Sequence, residues 1–114
     1  MTAVTATVTA TLYRARTALE IKLAGAPATR SGRRYSRTVV PILMEVEASQ
    51  GDVWGVTVFG PVAHRDGTAG QGQPQRVFWS WRAGEQIPGW VKEIVISQAT
   101  AAGLQVSRLD GQDA

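Results

Sequence analysis

The stretch VVPILMEVEASQGDVWGVTVF, residues 39–59, decides the fold. Two apolar, β-branched runs flank Ser49-Gln50-Gly51-Asp52, a cluster of turn formers, and each run alternates. Strand side chains point to opposite faces in turn, so Ile42, Met44 and Val46 are expected inward, with Glu45 and Glu47 outward. In the second run Trp54, Val56 and Val58 are expected to share a face. The pattern predicts a hairpin of Val39–Ala48 with Val53–Phe59. Pro41 cannot donate to a ladder, which argues for an edge position or for the first residues of a strand.

Upstream, Val4, Ala6, Val8, Ala10 and Leu12 alternate with Thr5, Thr7, Thr9 and Thr11, the signature of a half-buried strand. The phase then switches to Leu19, Ile21 and Leu23, with Glu20 and Lys22 between them. Residues 13–17 hold neither Gly nor Pro, so the usual mark of a tight hairpin is missing. A second strand, one long strand with a bulge, and a short helix over 14–23 all stay open. Residues 24–38 read as a loop in which Arg30, Arg33, Arg34 and Arg37 gather around Tyr35 with no acid among them.

Downstream, residues 60–75 are rich in glycine, bounded by Pro61 and Pro74, and hold an Asp66-Gly67 pair suited to a tight turn. Gly67 to Gly72 looks like a phosphate loop but lacks the Lys-Ser/Thr that such a loop needs. Residues 76–82 alternate as a strand, with Val77, Trp79 and Trp81 on one face. Ile87, Trp90, Val91, Ile94 and Val95 then recur at helical spacing behind Pro88, which suits a first helical turn, and Gly103 suits a left-handed stop. Strands followed by one helix predict an α+β domain: an antiparallel sheet of four to five strands with a C-terminal helix packed on one face. The domain is expected to span residues 1–104, with a basic loop at 24–38 and a Gly-rich loop at 60–75, leaving 105–114 as a tail.

Composition narrows the function. With 114 residues the chain is expected to hold one domain. It has no cysteine, which excludes a disulfide framework, a thiolate nucleophile and a Cys-ligated metal. Its only histidine, His64, lies in the Gly-rich loop and is read as an exposed loop residue rather than a triad member. Glu45 and Glu47 read as a solvated face that discourages edge-to-edge aggregation. No metal, cofactor or small-molecule substrate is implied, and a non-enzymatic protein is expected. No apolar run approaches the length that spans a bilayer, and Met1 to Thr11 lacks the order of a signal peptide, so a cytoplasmic protein is expected.

The formal charge is +3, carried by ten arginines and two lysines against nine acids. Arginine pairs well with phosphate. The candidate nucleic-acid-binding residues are Arg30, Arg33, Arg34, Tyr35 and Arg37, helped by Arg76 and Arg82. Trp79 and Trp81, between Arg76 and Arg82, could stack bases, but they are expected to form the core beneath the helix. A different class of function is a protein-binding or self-assembling factor, such as an accessory or inhibitor protein, suggested by a sheet edge near Pro41 and a generous apolar supply.

Gly51-Asp52-Val53-Trp54, Val58-Phe59-Gly60-Pro61, Asp66-Gly67, Trp79 and Ile87-Pro88-Gly89-Trp90-Val91 together resemble small proteins encoded by actinobacteria and their phages. The resemblance covers the C-terminal half. It implies no activity, only a phage or prophage setting in which small proteins bind nucleic acid or a host protein.

Overall fold

The computed structural model describes residues 4–14, 17–31, 37–81 and 86–106. Five strands form one sheet: β1 (Thr5–Arg14), β2 (Thr17–Ala24), β3 (Leu43–Ser49), β4 (Asp52–Gly60) and β5 (Gln75–Ser80). Each pairs antiparallel with the next, in the order β1-β2-β3-β4-β5. One helix, α1 (Gly89–Ala101), follows. The α+β class with a C-terminal helix is therefore as the sequence predicts.

The core lies between the sheet's inner face and α1. Leu19 and Ile21 of β2, Met44 and Val46 of β3, Val53, Val56 and Val58 of β4, and Val77 and Trp79 of β5 are buried together with Val91, Val95 and Ala99 of the helix. Those helical residues fall four apart, one above another on a single stripe. Trp81, just past β5, is 6% exposed, and its indole Nε1 donates to the Val53 carbonyl at 3.0 Å. Both indoles expected in the core are there, which removes them as a stacking platform.

Expectations of phase and edge differ from the structure at Trp54, Ile42 and Pro41 and along β1. Trp54 does not share a face with Val56 and Val58. The register of β3 with β4 slips between Glu47–Gly55 and Ala48–Val53, so Trp54 is the extra residue of a bulge. Val53 thereby joins the inner face, while Trp54 meets Phe78 edge to face at 6.0 Å. Ile42 is not inward but 49% exposed. In a regular antiparallel strand the N–H and C=O of one residue point to the same neighbour. Those of Ile42 point to opposite ones: the N–H donates to Phe59 of β4 and the carbonyl accepts from Leu23 of β2. The strand changes phase there, so Val39 and Pro41 are buried ahead of the switch and Met44 and Val46 after it.

Of the two places open to Pro41, the edge is excluded and the start of the strand is where it lies. It precedes β3, the central strand, and the sheet edges are β1 and β5. Finally, β1 and β2 are two paired strands, which excludes the helical reading of 14–23. Their register slips at Thr9, so Val8 pairs with Ile21 but Ala10 with Glu20. The parity of β1 is thus not continuous from Val4 to Leu12.

The helix starts one residue after Pro88, whose carbonyl accepts the Lys92 N–H. It ends in a Schellman arrangement: Leu104 N–H bonds the Ala99 carbonyl, Gly103 N–H bonds that of Thr100, and Gly103 takes the left-handed φ of +84°. Beyond the helix the chain returns to the sheet. Gln105 pairs in parallel with the β3–β4 turn, donating to Gly51 and accepting from Val53, and Val106 is buried. Among the described residues, no helix is long and apolar enough to cross a membrane.

Candidate nucleic-acid interface

The sheet register sorts the outer-face charges into rows. Cross-strand partners share a face, so Thr7, Lys22, Leu43, Phe59 and Arg76 form one row across all five strands. Two residues further along lies Glu20-Glu45-Thr57-Phe78, and beyond it Glu47-Gly55-Ser80. With a rise of about 3.3 Å per residue, successive rows are roughly 7 Å apart. The outer face therefore carries cations at one end and acids in its middle.

The two loops meet at that cationic end. Thr29 and Val39 exchange both backbone hydrogen bonds at 2.8 Å, closing the base of the arginine segment. Thr29 and Ser31 are buried, and the Thr29 hydroxyl donates to the Pro27 carbonyl at 2.7 Å. Val39 also bridges Val62, just past the end of β4, and Ala63 N–H donates to the Thr38 carbonyl. Arg30 and Arg37, both exposed, therefore leave the body beside the 62–70 loop.

That loop is a small hairpin. Ala63 bridges Ala69, His64 N–H donates to Thr68, and Gly67 turns with φ of +87°. Asp66 Oδ1 accepts from the Thr68 hydroxyl at 2.6 Å and from its N–H at 3.0 Å. These two donors, aided by His64, hold its carboxyl below the ordinary range. Asp66 thus caps its own turn as a carboxylate, and it is exposed along with neighbouring Arg65 and His64.

Of the residues picked from sequence, the fold brings Arg30, Arg37 and Arg76 to one end of the sheet. Arg33, Arg34, Tyr35 and Arg82 lie outside the described residues. Sequence reading omits Lys22 and Arg65. Lys22 is visible as a polar residue between Ile21 and Leu23, but its place in the row of Arg76 needs the register.

Register also explains the acids. Glu20 stands directly opposite Glu45, and Glu47 follows two residues along the same strand. Burial first, then the charges of Glu20 and Glu47, raise the Glu45 carboxyl above its ordinary value. A carboxylate whose folded-state pKa is raised binds its proton more tightly in the native chain. Stability is then lost as pH rises through the window from the ordinary value to the raised one, and regained on acidification. Glu45→Gln should therefore stabilise the protein at neutral pH by about 0.5 kcal/mol, the scale of one cross-strand like-charge pair. Urea melts of both proteins at neutral pH and below the glutamate range check this. An equal difference at both pH values would show that the ionised carboxylate is not the cause.

Among the described residues no group of three or more His, Cys, Asp or Glu could hold a metal ion. An open depression of about 480 Å³ beside α1 is lined by Gly89, Lys92, Glu93 and Ile96. No protein-family model, curated protein or solved structure matches the chain. The likeness to actinobacterial and phage proteins rests on the residues quoted for it alone.

Proposed function

We propose that this protein is a non-enzymatic binding module that contacts the phosphate backbone of nucleic acid with the cationic end of its sheet. The observation that supports this most directly is the convergence of Arg30, Arg37, Arg65, Arg76 and Lys22 on that end. Asp66 is the only described acid in the loops there, one negative charge beside these five cations. The row of Glu20 and Glu45, roughly 7 Å away along the strands, repels a phosphate chain laid over the face. The backbone would therefore run across the strand ends. Trp79 and Trp81, which are buried, offer no stacking surface; the proposed contact is electrostatic and indifferent to sequence.

Fluorescence anisotropy with labelled DNA and RNA of unrelated sequences, across a salt series, tests the reading. Binding should weaken steeply with salt and alike for all sequences. Arg30→Ala with Arg37→Ala should flatten the log–log salt slope by about 2, one unit for each phosphate contact removed. Absence of binding at low salt, or a double variant with the wild-type slope, overturns it.

A further inference from the structure

The two edges of the sheet are defended very differently. β5 is six residues long, carries Arg76 and is preceded by Pro74, all features that discourage strand addition. β1 is ten residues long, and the chain holds no charged side chain before Arg14. Among the described residues, no strand lies beside the backbone groups of β1 that face away from β2. The first irregularity of β1 is the bulge at Thr9, which leaves Thr5–Val8 regularly paired, with Val4 directly before this run.

Val4 with that run is self-complementary when turned end for end. Pairing a second copy about a two-fold axis through Ala6, we infer that the protein forms a homodimer by antiparallel addition of β1 to β1. Val4 of each copy then meets Val8 of the other, Thr5 meets Thr7, and Ala6 meets itself. The faces agree as well. Ala6 and Val8 pair with buried Leu23 and Ile21, whereas Thr5 and Thr7 pair with exposed Ala24 and Lys22. Apolar therefore lies against apolar on the inner side and threonine against threonine on the outer.

Val8 supplies the second observation. It carries an inner-face side chain yet is 38% exposed, so the described residues leave the inner side of this edge only partly covered. Val4 and Ala6 pack on the core as partly buried residues. In the dimer Val4 of the second copy covers Val8. A two-fold through Thr7 would also keep like with like, but it requires Thr9, which is the bulge and whose hydroxyl donates to Glu20. The axis through Ala6 avoids that residue. Five residues from each copy bury less than the roughly 1,200–2,000 Å² of a standard interface, so the dimer dissociates on dilution.

Light scattering after size exclusion, and sedimentation over a concentration series of the full chain, test this. The wild type should move from the 12.2 kDa chain mass towards twice that value as concentration rises. Thr5→Lys/Thr7→Lys places lysine against lysine twice across the axis, and Thr5→Glu/Thr7→Glu does the same with glutamate; both should stay monomeric. Their equimolar mixture should dimerise, because every cross-axis pair then joins a lysine to a glutamate. Thr5 and Thr7 are both exposed, and circular dichroism verifies the fold. If Thr7→Lys, facing Lys22, disturbs folding of the first variant, the glutamate variant alone must still be monomeric. A wild type that stays monomeric at every concentration sinks the proposal, as does a dimer that survives in the glutamate variant.

Discussion

Gly60→Ala is expected to destabilise the domain by about 4 kcal/mol or more, the range in which a single substitution signals a forced backbone change. A Cβ built on Gly60 would lie 1.8 Å from the Val40 carbonyl oxygen and 2.6 Å from its carbon. Neither atom belongs to a side chain that could swing away. Both are held in place, because Val40 N–H donates to Pro61 and Ile42 N–H to Phe59 on either side of the contact. The requirement is for space, since Gly60 is not among the glycines with positive φ. Gly89→Ala is the matched control: nothing lies within 4 Å of its Cβ, and alanine favours a helix by up to about 1 kcal/mol over glycine. Denaturant midpoints should move in opposite directions. A Gly60→Ala protein as stable as the wild type would mean that the segment before β3 and the end of β4 do not approach as described.

The second large effect concerns the tryptophans. Trp79 is the largest fully buried side chain, and Trp79→Ala should cost about 3–5 kcal/mol. Domains of this kind are stable by only about 5–15 kcal/mol in all, so the variant should lose a large share of its stability. Trp54→Ala removes a half-buried ring in edge contact with Phe78, an interaction worth about 1 kcal/mol beyond the area it covers. The gap between the two variants, read by urea titration, measures the phase change at the bulge. Equal losses would put Trp54 on the inner face, as simple alternation expects.

The sequence is legible up to the points where parity breaks. Met44, Val46, Val56, Val58, Val77 and Trp79 follow from period-two alternation, and the helix stripe follows from its four-residue spacing, because both depend only on local geometry. The misplacements of Trp54 and Ile42 share one cause: alternation carries parity along a strand until something inserts or turns a residue. A glycine inside a strand often marks a bulge or a close approach, and Gly55 beside Trp54 is such a signal. Ile42 carries none beyond its neighbour Pro41. The candidate site is legible as composition, in Arg30, Arg37 and Arg76. Its arrangement is not, because Lys22 joins Arg76 only through a register that spans four strands, and Glu20 faces Glu45 for the same reason.

The serial order of the sheet has a consequence for how the chain is made. Every strand pairs with its sequence neighbour, so each hairpin has its partner as soon as it leaves the ribosome, and local pairing of this kind favours rapid folding. The inner face, however, waits for α1, which follows all five strands, and for the Gln105 clasp behind it. Until residue 106 emerges, an apolar floor of β-branched side chains lies open to any other nascent chain, the circumstance in which aggregation competes with folding. Chains released before Val91 should accordingly be found in the insoluble fraction.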